Sequence, residues 1–179
     1  MGKRVYLIVS VALLALGAGL FAGWRAQTPD SLSPEQAKSA AEMLYVTTLP
    51  DLKGNNQPIA QWRGKVLIVN FWATWCPPCR EEIPQFIKVQ EKYRTRGLVF
   101  VGVAVDKKDA VLAYADEIGI NYPVLIGDLE AIELTRKAGN RAGALPFTLI
   151  IDRKGKIIAT ELGGLTQAKL EPIIGPLLE

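Results

Sequence analysis

KVLIVNFWATWCPPCREEIP, residues 65–84, runs from an apolar, β-branched stretch into the chain's two cysteines and on into a charged segment. Residues 65–72 have the composition of a strand buried on both faces. Cys76 follows the end of that strand. Cys79 falls one turn into the next helix, whose apolar positions Ile83, Phe86, Ile87, Val89 and Tyr93 recur at mostly helical spacing and stop at Gly97. Pro77 and Pro78 suit a first helical turn, where a missing N–H is harmless, and they stiffen the loop between the two sulfurs.

Working outward, residues 98–105 form a second apolar run of strand character. KDAVLAYADEIG then predicts a helix ending at Gly119, YPVLIG a short strand, and LEAIELTRKAG a helix ending at Gly139. PFTLIID and KIIATEL, joined by the turn Arg153-Lys154-Gly155, predict an antiparallel hairpin, and Thr166 opens a final amphipathic helix. Upstream, TTLPDLKGNNQPIAQW has turn residues between two extended pieces, and Ser33 caps a short helix with Pro34 at its first position. Strands alternating with helices and closing on a hairpin imply an α/β fold with a mixed central sheet flanked by helices.

The N-terminus reads separately. After Lys3 and Arg4, residues 5–24, VYLIVSVALLALGAGLFAGW, carry no charge, and a helix of about 20 apolar residues crosses a bilayer core of roughly 30 Å. A cleaved signal peptide would have a shorter apolar region and a small-x-small site, whereas Trp24 and Phe21 stand where small residues are wanted, so a retained transmembrane anchor over residues 1–25 is favoured. No cysteine is available there for a lipid. The cationic flank places the N-terminus in the cytoplasm and the remainder in the periplasm or extracytoplasmic space. Residues 26–42 read as a polar, proline-bearing linker with the short helix, and residues 43–179 as the folded domain.

With 179 residues, 49% of them hydrophobic and 22% charged, the composition is that of a globular protein of one modest domain. The formal charge of +3 is accounted for by Lys3, Arg4 and Arg25, which leaves the rest of the chain neutral and removes any electrostatic case for nucleic acid.

Three readings of the cysteine pair compete. A structural staple gains little, because a bridge closing so short a loop removes little unfolded-state entropy. A zinc site lacks ligands, since the chain has no histidine and no third cysteine. Arg80 stands where covalent attachment of c-type haem would require histidine. A redox dithiol that needs no cofactor and no metal remains, with Cys76 at a helix N-terminus, where the dipole favours a thiolate. By position, Cys76 is the exposed attacking thiolate and Cys79 the more buried resolving thiol. Glu82, three residues beyond Cys79, shares its helical face and is a candidate acceptor for its proton. A solvated first-turn acid, like Glu81, is the plain alternative.

VNFWATWCPPCREEIP, residues 69–84, resembles the active site of thioredoxin-fold proteins, specifically the membrane-anchored TlpA/ResA/CcmG-like branch, and the order of elements from about residue 49 onward is similar too. The resemblance implies that residues 106–128 are a central helix-strand insert. Glu82 matches the acid of the branch's C-x-x-C-x-x-E-x-P motif. Asn70 stands where ordinary thioredoxin has a buried Asp, although a merely satisfied strand residue is the simpler reading of it. Pro146 matches the proline that is cis in such folds and lies opposite the cysteines, and Leu145 would offer its backbone to substrate. Phe147 departs from the small hydroxyl residue often found there. Trp75, Pro77 and Pro78 join Leu145 and Pro146 as expected substrate contacts; Trp72 and Trp75 both read first as packing residues, with a shield of the thiol from water as the alternative for Trp75.

The family implication is a reductant of protein disulfides, such as those of apocytochrome c or copper-site assembly factors, recharged by a transmembrane thiol-disulfide electron carrier. An oxidase running the electrons the other way is the alternative, and a Cu(I) metallochaperone a weaker one, disfavoured by the absence of histidine and of a methionine near the motif.

Overall fold

A computed structural model of the protein describes residues 32–179. The expected anchor, residues 1–25, lies outside them, and no helix among the described residues is long and apolar enough to cross a membrane.

Helix α1 (Pro34–Val46) opens with a capping box, in which the Ser33 hydroxyl accepts from the Gln36 N–H and the Gln36 side chain accepts from the Ser33 N–H. Strands β1 (Thr48–Pro50) and β2 (Asn56–Pro58) form the expected antiparallel hairpin. A five-stranded sheet follows in the order β5-β4-β3-β6-β7, from β3 (Val66–Trp72), β4 (Leu98–Ala104), β5 (Val124–Ile126), β6 (Phe147–Ile151) and β7 (Ile157–Leu162). β3, β4 and β5 are mutually parallel, while β6 and β7 run antiparallel beside β3. Helices α2 (Pro77–Tyr93), α3 (Lys108–Ile118), α4 (Leu129–Lys137) and α5 (Gln167–Ile174) complete the chain.

Side chains alternate across a strand, and this sorts β3 into two cores. Val66, Ile68 and Trp72 face the layer of α2, α3 and α5, where they meet Ile83, Phe86, Val111, Leu170 and Ile174. Leu67, Val69 and Phe71 face α1 and α4, meeting Leu44, Tyr45 and Leu134. Asn70 has the parity of Ile68 and Trp72, so the one polar residue of this strand points at α2.

Ala40, Ala41, Leu44 and Tyr45 of α1 are buried in that second core, and the compact unit runs over Leu32–Glu179. The folded unit thus begins ahead of residue 43, because α1 supplies apolar surface to the α4 side of the sheet instead of acting as a spacer.

α3 stops at the expected glycine, whereas α2 ends at Tyr93 and a 3-10 turn, Arg94–Arg96, leads on to Gly97, and α4 ends at Lys137, two residues before Gly139. Gly97 and Gly119 both take positive φ, 86° and 67°, a conformation that side chains with a Cβ avoid. Pro84 sits within α2 without ending it. The anchor of α2 on the sheet is Phe86, fully buried with its ring 5.0 Å from that of Phe100. Phe86→Ala is expected to cost about 3–5 kcal/mol of unfolding free energy, read as a lower urea midpoint with unchanged slope.

Candidate active site

The last hydrogen-bonded pairs of β3 bring Trp72 level with Ala104 and Phe71 level with Phe147. The chain leaving β3 therefore passes between the exit of β4 and the entrance of β6, and the two cysteines stand there. Cys76 is the N-cap of α2 and Cys79 its third residue, and they are joined by a disulfide with S–S 2.07 Å and Cα–Cα 5.3 Å. Cys79 is fully buried, and Cys76 is only 4% exposed. The expected order of exposure holds, but the expected open Cys76 does not, because in the disulfide both sulfurs belong to the apolar cluster beneath α2.

The first turn of α2 also departs from the ordinary helix end. Its unpaired N–H groups would normally face an N-cap anion. Pro77 and Pro78 have none, the Cys76 N–H is taken by the Ala73 carbonyl at 3.3 Å, and the Arg80 N–H by the Cys76 carbonyl at 3.2 Å. Only the Cys79 N–H is left to face a Cys76 thiolate, which weakens the stabilisation that a helix terminus otherwise lends.

Glu82 is not a solvated first-turn acid. It is 2% exposed, in contrast to exposed Glu81, and its carboxylate is held at both oxygens: Asn70 Nδ2 donates to Oε1 at 2.7 Å and the Leu165 N–H donates to Oε2 at 2.8 Å. Burial pushes its pKa up to about 7, against the downward pull of those two hydrogen bonds and with a further upward push from Glu161. A carboxyl one helical turn beyond Cys79 that is half ionised near neutral pH can take or give a proton under physiological conditions. Asn70 is buried and bonded, as a satisfied strand residue would be, but its partners are Glu82 and, at 3.0 Å, Thr148 Oγ1.

On the β6 side the Leu145-Pro146 bond is cis, and Pro146 is buried with Leu145 half-buried beside it. The Pro146 carbonyl accepts from the Gly163 N–H at 2.9 Å, which ties the end of β7 to this corner. Pro77 and Pro78 are exposed. Trp75 is 66% exposed, so its indole lies on the surface beside Cys76 and is not a packing residue, whereas Trp72 is fully buried with its ring 5.7 Å from that of Tyr114.

Three contributors escape a reading of the motif. Thr148 and the Leu165 N–H come from β6 and the turn after β7, far from Glu82 in sequence. The third is Asp106, just past β4, whose carboxylate accepts from both the N–H and the hydroxyl of Thr74 and pins the loop that carries Trp75 and Cys76. Burial pushes Asp106 up, but the bonds from Thr74 and the Lys107 N–H outweigh it and hold the carboxyl below its usual range. An acid directly after a buried strand is the available signal for it. Asp106→Ala is expected to slow disulfide exchange roughly ten- to hundredfold through misplacement of Cys76, with the folded far-UV spectrum retained; stopped-flow tryptophan fluorescence of the exchange reaction measures this.

Residues 34–174 match the Redoxin family. The chain is 30% identical over 170 residues to thiol-disulfide oxidoreductase ResA of Bacillus thuringiensis (strain Al Hakam), a match covering 94% of each chain. It is 34% identical over 128 residues to the thioredoxin-like protein YneN of Bacillus subtilis (strain 168), covering 69% of this chain and 72% of YneN. Among solved structures, a thiol:disulfide interchange protein of the thioredoxin family from Chlorobium tepidum TLS superposes with a TM-score of 0.67 at 34% identity, over 74% of this chain and 93% of that one. The family match over residues 34–174 and the 30% identity to ResA along 94% of each chain settle the family of this mixed sheet and its cysteine pair: the protein belongs to the Redoxin family, as a ResA-like thiol-disulfide oxidoreductase of thioredoxin-like fold.

Proposed function

We propose that this oxidoreductase is held outside the cytoplasmic membrane by its N-terminal segment and reduces protein disulfides there, using Cys76 as nucleophile, Cys79 as resolving thiol and Glu82 as the proton acceptor. Exchange begins when the Cys76 thiolate attacks one sulfur of a substrate disulfide, forming a mixed disulfide and expelling the other sulfur as a thiolate. The Cys79 thiol passes its proton to Glu82, and its thiolate then attacks Cys76 Sγ. The second substrate sulfur leaves as a thiolate, and the Cys76–Cys79 disulfide closes. Two electrons have moved from the dithiol to the substrate.

The observation that carries the reductive direction is the make-up of the site around the pair. A dithiol is a strong oxidant when its reduced form is stabilised as thiolate. Here two prolines remove N–H donors from the helix terminus, and a buried carboxyl lies one turn beyond Cys79, where its negative charge opposes a second anion. Both features disfavour the thiolate and so make the dithiol a better reductant. Trp75, Pro77 and Pro78, with Leu145 and Pro146 opposite, form the contact surface for the substrate chain. The resemblance implies apocytochrome c or copper-site assembly factors as substrates and a transmembrane thiol-disulfide carrier as electron source.

Acid-quenching growing cells and alkylating free thiols tests the direction in place. A reductant is found mainly with Cys76 and Cys79 free and alkylated; a pair found mainly as the disulfide supports the oxidase reading instead. Fractionation and the mass of the mature chain test the anchor, which predicts a membrane-bound product retaining residues 1–25.

A further inference from the structure

The side-chain amide of Asn70 is fully enclosed, and its hydrogen bonds are lopsided. Nδ2 donates to Glu82 Oε1 at 2.7 Å and to Thr148 Oγ1 at 3.0 Å, while Oδ1 is buried without a partner among the described residues. This arrangement suits an ionised Glu82, which can only accept. A neutral Glu82 carries an O–H. Since Oε2 already accepts the Leu165 N–H at 2.8 Å, the proton belongs on Oε1, where it would oppose the N–H of Asn70, donor against donor. A half-turn of the amide removes the conflict. Oδ1, with its two lone pairs, then accepts from the Glu82 O–H and from the Thr148 O–H, and nitrogen takes the partnerless side. In both orientations one end of the amide lacks a partner, so the protonation of Glu82 decides between them.

We propose that Asn70 is a proton-linked positioning residue, its amide reversing as Glu82 gains and loses the Cys79 proton so that each charge state of Glu82 meets a matching hydrogen bond. The inference rests on the reading of Glu82 as proton acceptor and adds the element that keeps it functional in both states. In the resolving step the proton leaves Cys79 Sγ and arrives on Glu82 Oε1; the amide turns; the Cys79 thiolate closes the disulfide on Cys76; and when Glu82 releases the proton to solvent the amide turns back. The other ionisable groups facing Glu82 come from separate elements: Tyr122 ahead of β5, whose phenol burial pushes upward, and Glu161 of β7, which Lys169 of α5 bridges at 3.3 Å. None of these touches the amide through a hydrogen bond, which leaves Thr148 as its second partner.

The test is a side-chain NMR titration of the full-length oxidised chain in detergent, labelled with 15N at asparagine and 13C at glutamate, from pH 5 to 9. The expected result is that the Asn70 Nδ2 hydrogens lose their cross-peaks to Thr148 as pH falls, with the same midpoint as the Glu82 carboxyl carbon, and that Glu82→Gln abolishes this dependence. In kinetics, Asn70→Leu moves the midpoint of the pH profile for release from the mixed disulfide upward by less than about one pH unit, since the ionised carboxylate loses a charge-assisted donor and the neutral acid loses a weaker acceptor. Asn70 cross-peaks that stay unchanged through the Glu82 midpoint, or a Glu82 carboxyl that does not titrate in this range, overturn the inference. If the amide turns but Glu82→Gln leaves exchange rates unaltered, the coupling of Asn70 to the charge of Glu82 stands, while the Cys79 proton as its source, and with it the assignment of Glu82 as acceptor, falls. If Glu82→Gln slows exchange while the amide stays still, the reverse holds.

Discussion

Cys76→Ser abolishes disulfide exchange, and Cys79→Ser stalls it one step later. Serine at position 76 removes the only thiol at the helix terminus beside the exposed Trp75, and the remaining Cys79 is fully enclosed and cannot reach a substrate disulfide. Reduction of a model protein disulfide in the presence of dithiothreitol then falls to the uncatalysed rate. Serine at position 79 leaves the first attack intact but removes the sulfur that closes the loop over a Cα–Cα distance of 5.3 Å. Mixed disulfides through Cys76 therefore accumulate and appear as reductant-sensitive, higher-mass bands on non-reducing gels. If Cys79 were the first nucleophile, the two phenotypes would be exchanged.

Glu82→Gln carries the second large effect, and it has a kinetic and a thermodynamic part. Loss of a general base positioned for Cys79 slows the resolving step by about a hundredfold or more near pH 7, and the variant loses the rise in rate through the Glu82 pKa of about 7. Stability follows from the same shift. The folded carboxyl is raised from 4.5 to about 7 because burial disfavours its charge. Between those values the folded protein holds a proton that the unfolded chain has lost, so this group's stabilising contribution is complete below pH 4.5 and is lost as pH rises through about 7. The loss amounts to about 3 kcal/mol. Glutamine stays neutral throughout, so urea denaturation should find the two proteins similar near pH 4.5 and the variant more stable at pH 8. Equal pH dependence in both proteins would show that Glu82 does not titrate in the fold.

Much of this architecture was legible because it is local. The apolar run of β3, the glycines at 97 and 119 and the serine and threonine caps at 33 and 166 each act within a few residues of themselves. The cysteine pair likewise declares its chemistry through spacing and through the absence of other ligands. The environment of Glu82 was not legible in the same way. An acid in the second turn of a helix is ordinarily solvated, and what holds this one inside is Asn70 from the preceding strand, itself bonded to Thr148 across the sheet, and a backbone N–H after β7. Threonine is common in sheets and so draws no notice at position 148, and the N–H carries no side-chain signal at all. Asn70 stands out as a polar residue in an apolar strand, yet its alignment with Glu82 depends on its parity in β3, which the motif does not display. The burial of Cys76 is hidden for a related reason: position at a helix terminus argues for exposure, while the apolar cluster that encloses the pair is assembled from several elements. Asp106 escaped because its partner, Thr74, is 32 residues away.

The central claim is that this pair is a reducing centre, made so by a proline-stripped helix terminus and a buried carboxyl. Its most direct test is the reduction potential of the Cys76/Cys79 couple, obtained by equilibrating the protein against glutathione and dithiothreitol at pH 7 and counting free thiols. The account predicts a value toward that of thioredoxin, about −270 mV. A value near about −120 mV, that of a strong disulfide oxidant, would contradict it and assign the protein to disulfide formation.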